Sequence, residues 1–350
     1  MKRMGTVASN VSQRDDNQYE DEYEYYERMF SPLAHDRRAR RKRKPAVRHV
    51  AKKAEDQVIQ ELGDLVGLEG GFRTLYKPGR YEEGWLLDSL RAFYDEGLIV
   101  DVLAQVKGGK EASVYLCEAH PSTGTDLLAA KVYRPRRFRN LSNDKMYRNG
   151  RDVLTAEGRA VKTTDHRVMR AIGKKTTFGV QVSHTSWLMH EYKALELLYR
   201  AGGAVPKPVA SSENAILMTY LGDAHMAAPT LQEVRLEEKE RDPLFREILR
   251  NVELMLEFEL IHGDLSSYNV LYWEGKVVII DFPQAVDLYG NRDARFVLER
   301  DVQRICEYFR RQGVKSDPAQ IVSDLWERYG RPSLLDAADD SPLLERTLEE

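Results

Sequence analysis

Asp264, Asn269 and Asp281 lie within the segment 261–283, IHGDLSSYNVLYWEGKVVIIDFP. An amide oxygen and a carboxylate are hard donors of the kind Mg²⁺ accepts while it takes its other ligands from water and substrate phosphates. A further carboxylate beside them can orient a hydroxyl or a water for attack. The chemistry this set suits is phosphoryl transfer, in which the protein positions the reactants and neutralises charge more than it makes bonds.

The elements that hold these side chains can be read from the same segment. Residues 270–273 (VLYW) and 277–280 (VVII) are β-branched or aromatic and predict two strands. Glu274-Gly275-Lys276 predicts the turn between them. A hairpin centred on Gly275 sets Asn269 opposite Asp281 and brings both to the open end of a short ribbon. Asp264 falls in the turn just before. The spacing Asp-x-x-x-x-Asn is that of a protein-kinase catalytic loop, where the Asp is the base and the Asn a metal ligand. The leading triplet is His262-Gly263-Asp264 rather than His-Arg-Asp.

Other pieces of a nucleotide site lie upstream. Residues 108–115 (GGKEASVY) join two strands, and a small-residue loop lets backbone N–H groups approach phosphates. Gly109 and Val114 fit a glycine-rich phosphate loop, and Lys110 and Ser113 offer it a charge and a hydroxyl. Lys131 ends the apolar run LLAA at 127–130, and Glu191 opens a helix over 190–199. Such a lysine and glutamate pair to fix an ammonium against the α- and β-phosphates. Met218, Thr219 and Leu221 close a strand over 215–221 where two lobes would join. There the adenine would meet backbone groups, the Thr219 carbonyl and the Leu221 N–H. Asp301, an acid among apolar neighbours in a helix over 296–309, is placed to support the catalytic loop from below.

The 350 residues are 42% hydrophobic and 31% charged, enough for one bilobal domain with appendages. The net charge of −3 is unevenly spread. Residues 1–50 pair an acidic tyrosine-rich block with the basic block Arg37–Lys44 and are expected to be disordered, with the basic block able to contact RNA phosphates. Residues 51–103 read as a small helical region, 104–222 as a strand-rich lobe, 223–330 as a helical lobe with a long helix over 244–260, and 331–350 as an acidic tail. A basic flexible insert spans about 134–186. Two distant cysteines form no metal or disulfide pattern, and no signal-like or membrane-spanning run is expected, which points to the cytoplasm.

Three segments resemble the RIO family of atypical kinases: 110–115 (KEASVY), 262–269 (HGDLSSYN) and 279–286 (IIDFPQAV). The resemblance covers roughly residues 98–313. It implies an α+β, two-lobed protein-kinase-like fold lacking the activation loop and peptide-binding subdomains, and no Ala-Pro-Glu triplet follows Asp281. It also implies ATP with Mg²⁺, or Mn²⁺ as a substitute. Carried over by position, Asp264 is the base, Asn269 and Asp281 hold metal, and Lys131 and Glu191 are the ion pair. The carboxylate matching Asp281 can take the γ-phosphate as an aspartyl-phosphate. The acceptor is then a protein, the chain itself or water, with a link to ribosome maturation. Gly263 stands where many members carry alanine, a change expected to be minor. Pro283 stands where other kinases have glycine, so this loop should flip less readily.

Small-molecule phosphotransferases of the aminoglycoside-kinase type share the His-Gly-Asp-Leu and Ile-Asp-Phe runs. They are the alternative, against which the phosphate loop and Pro283 argue. A nucleotide-gated scaffold binding RNA or protein is a further alternative.

Overall fold

The computed structural model describes residues 74–78, 82–109, 111–133, 151–162, 164–174 and 176–330. All of these belong to one compact unit spanning 55–350. The two tails, the basic block Arg37–Lys44, Lys110 and insert residues 134–150 lie outside the described residues.

Helix α1 (Glu83–Asp95) precedes an antiparallel sheet of β1 (Ile99–Gly108), β2 (Ala112–Ala119), β3 (Leu127–Tyr133), β4 (Pro208–Ser211) and β5 (Ala215–Thr219), in the order β1-β2-β3-β5-β4. Strand alternation gives this sheet two apolar faces. Tyr115, Cys117, Leu128, Ala130, Val132 and Leu217 form one of them, and α1 covers it with Leu86, Leu90 and Phe93. Those three recur at helical spacing and are 0%, 0% and 1% exposed. Each such burial is worth about 1.5–3 kcal/mol. The expected helical region over 51–103 is therefore no separate unit where it is described: its helix roofs the sheet, and β1 begins at Ile99, ahead of the boundary drawn at 104.

The opposite face carries Ala129, Tyr133, Ile216 and Met218 and joins the core of the helical part. Against it lies α3 (Thr177–Arg200), preceded by α2 (His166–Gly173). The insert expected to run to 186 thus contains helix, and α3 starts well before His190. Its first turns have little apolar surface to signal them: of residues 177–185 only Gly179 is buried. They are set instead by the Thr176 hydroxyl, which accepts from the Gly179 N–H at 3.1 Å. A close approach of α2 also sets them, because a Cβ on Gly179 would lie 2.0 Å from the Ala171 carbonyl oxygen.

The helical part comprises α4 (Glu238–Glu257), β6 (Leu260–Ile261), β7 (Val270–Trp273), β8 (Lys276–Ile279), β9 (Val286–Asp287), α5 (Ala294–Arg311) and α6 (Pro318–Tyr329). The long helix is shifted from the expected 244–260. It begins earlier, at a capping box made by Glu237 and Glu240, and ends before Glu259, whose φ is 59°. Leu260 then pairs with Asp287 in the β6–β9 ribbon.

The β7–β8 hairpin also differs from the expected register. Its turn is the two residues Glu274 and Gly275, at φ 49° and 76°, as a type I′ turn requires. Trp273 pairs with Lys276 and Val270 with Ile279. Asn269 therefore faces Ile280, whose N–H donates to the Asn269 carbonyl at 3.0 Å. Asp281 sits one step beyond.

Candidate active site

Lys131 lies in β3, in register with Val114 of β2 and Ile216 of β5. Its ammonium meets Glu191 Oε1 of α3 at 2.6 Å and also bonds Asp281 Oδ1. Glu191 is 1% exposed, and its second oxygen accepts from the Tyr133 hydroxyl. Two carboxylates thus share one ammonium. Burial opposes the charge on Lys131, but Asp281 and Glu191 outweigh it and hold its pKa above the ordinary lysine value. Burial is the leading influence on Glu191, which is pushed up to about 7 against the pull of Lys131. Asp281 keeps 39% of its side chain exposed. There the Lys131 ammonium overcomes burial and holds the carboxyl below the usual range.

Asp281 has φ 73°, a left-handed conformation that costs a non-glycine residue on the order of 1–3 kcal/mol unless its surroundings impose it. The surroundings do impose it. Phe282 is 1% exposed and packs on the His262 ring at 4.6 Å. His262 Nε2 donates to the Ile280 carbonyl at 3.0 Å, which leaves Nδ1 to accept from the Asp264 N–H at 3.2 Å. One histidine therefore ties the turn carrying Asp264 to the loop carrying Asp281.

Gly263, next to it, has φ 83°, and a Cβ there would lie 2.1 Å from the Gln284 carbonyl oxygen. Alanine is not a minor change on this backbone. The Gly263 N–H donates to Asp301 Oδ2 at 2.8 Å, and its carbonyl accepts from Arg300. Asp301 thus lies beneath the loop, buried to 2% exposure. Asp264 itself is held at both oxygens, by Arg304 Nη1 on Oδ1 at 2.7 Å and by Asn269 Nδ2 on Oδ2 at 3.2 Å. Asn269 Nδ2 also donates to the Asp264 carbonyl at 2.9 Å.

The phosphate-loop residues divide. The Gly109 N–H closes the β1–β2 turn on the Ala112 carbonyl at 2.9 Å, and a Cβ on Gly109 would crowd that same oxygen at 2.8 Å. Val114 shares the face of Lys131. Ser113 does not: it is 1% exposed on the α1 side with Tyr115, because adjacent strand residues point to opposite faces. Its hydroxyl is thus turned away from the phosphate side where it was expected. Met218 is nearly buried. Thr219 ends β5, exchanging its N–H and hydroxyl with the backbone of Lys207 at 2.9 and 3.0 Å. Leu221 lies beyond the strand, its carbonyl accepting from the Ala228 N–H at 2.9 Å.

The donor set fits Mg²⁺. The Asn269 amide nitrogen is spent on Asp264, which leaves its oxygen as the candidate metal ligand, and Asp281 is a partly exposed carboxylate. Among the described residues no group of three or more His, Cys, Asp or Glu could cage a metal. One carboxylate and one amide suit an ion that completes its shell with water and phosphate oxygens.

Sequence reasoning did not find Arg304, Arg300, Tyr133 or Arg151. Arg304 lies three residues after Asp301, one helical turn on the same face of α5, and that spacing was the available signal. Arg151 Nη1 donates to the Pro283 carbonyl at 3.0 Å, and its other terminal nitrogen bonds the Ala285 carbonyl. Nothing in the sequence pattern marks it.

A family profile described as RIO domain matches residues 131–321, from β3 into α6. The RIO-type serine/threonine-protein kinase Rio1 of Haloferax volcanii is 33% identical over 216 residues, 61% of this chain and 64% of that protein. Rio1 of Thermoplasma acidophilum is 33% identical over 135 residues, 39% of this chain and 69% of that protein. This chain therefore spans just under two thirds of the first relative and slightly more of the second. A solved Rio2 kinase–ADP/Mg²⁺–phosphoaspartate complex from Chaetomium thermophilum has a TM-score of 0.49 at 19% identity, covering 76% of each chain. The matched segment is more than half of this chain, and it contains Lys131, Glu191, Asp264, Asn269 and Asp281: the chain belongs to the RIO domain family.

Proposed function

We propose that this protein is an ATP- and Mg²⁺-dependent RIO-type serine/threonine kinase or ATPase. The observation that carries the reading is the convergence of Lys131, Glu191 and Asp281, with Asp264 and Asn269 on the adjoining loop tied to it through His262. Asp264, fixed at both oxygens, orients the acceptor hydroxyl or water. Lys131, held charged by two carboxylates, is the cation for the α- and β-phosphates. Asn269 and Asp281 hold Mg²⁺, which when bound neutralises charge developing on the phosphate oxygens. The Thr219 carbonyl and the Leu221 N–H take the adenine.

The γ-phosphoryl group leaves the β-phosphate oxygen, giving ADP, and bonds to the acceptor oxygen. With Asp281 as acceptor the product is an aspartyl-phosphate, which water cleaves to phosphate and free carboxylate. With a serine or threonine of this chain or of another protein the phosphate stays on protein. The kinase relatives support ATP as the donor. A role in ribosome or RNP maturation, with contact through Arg37–Lys44 or the basic insert, is the biological setting this reading favours, in the cytoplasm. Among the described residues no helix is long and apolar enough to cross a membrane.

The test is ATP turnover and nucleotide binding for Asp264→Asn. Turnover is expected to fall by about 10²-fold or more, the scale of a positioned acid–base group, with nucleotide affinity changed by less than about threefold, or 0.7 kcal/mol. Turnover near wild type would remove Asp264 from the reaction.

A further inference from the structure

The segment 151–162 forms a strap over α3. Val161 donates to the Val153 carbonyl at 2.7 Å, and Leu154 and Ala160 form an isolated bridge. The strap is bound to the helix at three points on consecutive turns. The Leu154 N–H donates to Ser186 Oγ at 2.9 Å, His190 Nε2 donates to the Asp152 carbonyl at 2.8 Å, and the Lys193 ammonium bonds the Gly158 carbonyl. The Leu154 side chain is 6% exposed within the main core. These anchors flank Glu191. At the start of the strap, Arg151 forks onto the Pro283 and Ala285 carbonyls of the loop that follows Asp281.

A planar guanidinium with two terminal donors in fixed geometry sets the spacing of the carbonyls it binds, which a lysine, a flexible point charge, does not. Pro283 brings no N–H, and the Ala285 N–H closes the loop onto the Phe282 carbonyl at 3.0 Å.

We propose that Arg151 is a positioning residue for the metal loop, and that the strap couples α3 to that loop so that Glu191 and Asp281 keep one relative position about Lys131. The consequence for Mg²⁺ rests on the functional reading above; the mechanical consequence does not.

The test uses the full chain with Arg151→Met and Arg151→Lys. Hydrogen exchange is followed in protein free of metal and nucleotide, together with the Mg²⁺ dependence of ATP turnover. Loss of a charge-assisted fork onto two carbonyls should let the loop open more often, so Arg151→Met should speed exchange at the amides of 284–288 by about tenfold or more. Amides of α4 and α5 should keep their wild-type rates. Half-saturating Mg²⁺ should rise about tenfold with kcat at saturating Mg²⁺ within about twofold, and Arg151→Lys should fall between. Unchanged exchange at 284–288, or equal acceleration across α4 and α5, would overturn the positioning role. Local acceleration with an unchanged Mg²⁺ dependence would overturn the coupling to the site. Local acceleration in proteins that never turn over ATP, wild type included, would uphold the clamp and overturn the phosphoryl-transfer reading instead.

Discussion

Asp264 is a carboxylate with little freedom: Arg304 grips one oxygen at 2.7 Å and Asn269 the other at 3.2 Å. Arg304 is nearly buried, so its bond to Asp264 is poorly screened. Orientation of a reacting group is worth far more in rate than one hydrogen bond is in stability. Arg304→Ala should therefore lower kcat by about 10–100-fold with KM for ATP changed little, the signature of an interaction that matters in the transition state. Arg304→Lys should recover part of the loss. Steady-state kinetics on the three proteins decides this, and a rise in KM at constant kcat would assign Arg304 to nucleotide binding. Asp264, Asn269 and Asp281 could be singled out because their types and spacings are unusual around a hairpin, and Lys131 because it follows an apolar strand with Glu191 on a helix downstream. Arg304 and Arg151 were not, because a charged residue in a polar stretch looks like surface until the chain folds a carboxylate or a carbonyl onto it. Ser113 was misread for the reverse reason: its hydroxyl suggested phosphate, but strand alternation sends it to the α1 face.

Helix α3 joins the two halves of the site, because its Glu191 shares Lys131 with Asp281. Burial raises Glu191 to about 7 from an ordinary value of 4.5. Across that range the folded protein binds more proton there than the unfolded chain does, so this group's contribution to stability falls as pH rises from about 4.5 to 7. Glu191→Gln removes that dependence. Denaturant unfolding of both proteins from pH 5 to 8 should show the stability difference moving in favour of the glutamine variant as pH rises. A difference that stays constant with pH would show that Glu191 is ionised throughout. The start of α3 was hidden because a cap and a close α2 contact define its first turns rather than an apolar stripe. The β7–β8 register was one residue off because positive φ at both Glu274 and Gly275 makes a two-residue turn, which the letters Glu-Gly-Lys do not announce.

At the scale of the whole molecule, a sheet roofed by α1 and a helical part meet along one apolar core, and the charged side chains of the site bridge them. The strand-rich order followed by helices around a hairpin was readable from periodicity. The attachment of α1 to the sheet was not, because an amphipathic helix does not say which apolar face it covers. The proposed function rests on transfer of the γ-phosphate of ATP at this site. The most direct measurement incubates the full chain with γ-labelled ATP and Mg²⁺, wild type against Asp281→Asn, and follows label on protein and free phosphate, with a hydroxylamine chase. Hydroxylamine-labile label is expected on wild type, absent from Asp281→Asn, together with release of phosphate. Hydroxylamine-resistant label would move the phosphate to serine or threonine within the same site. Wild-type protein that gains no label and releases no phosphate would rule out phosphoryl transfer at this site.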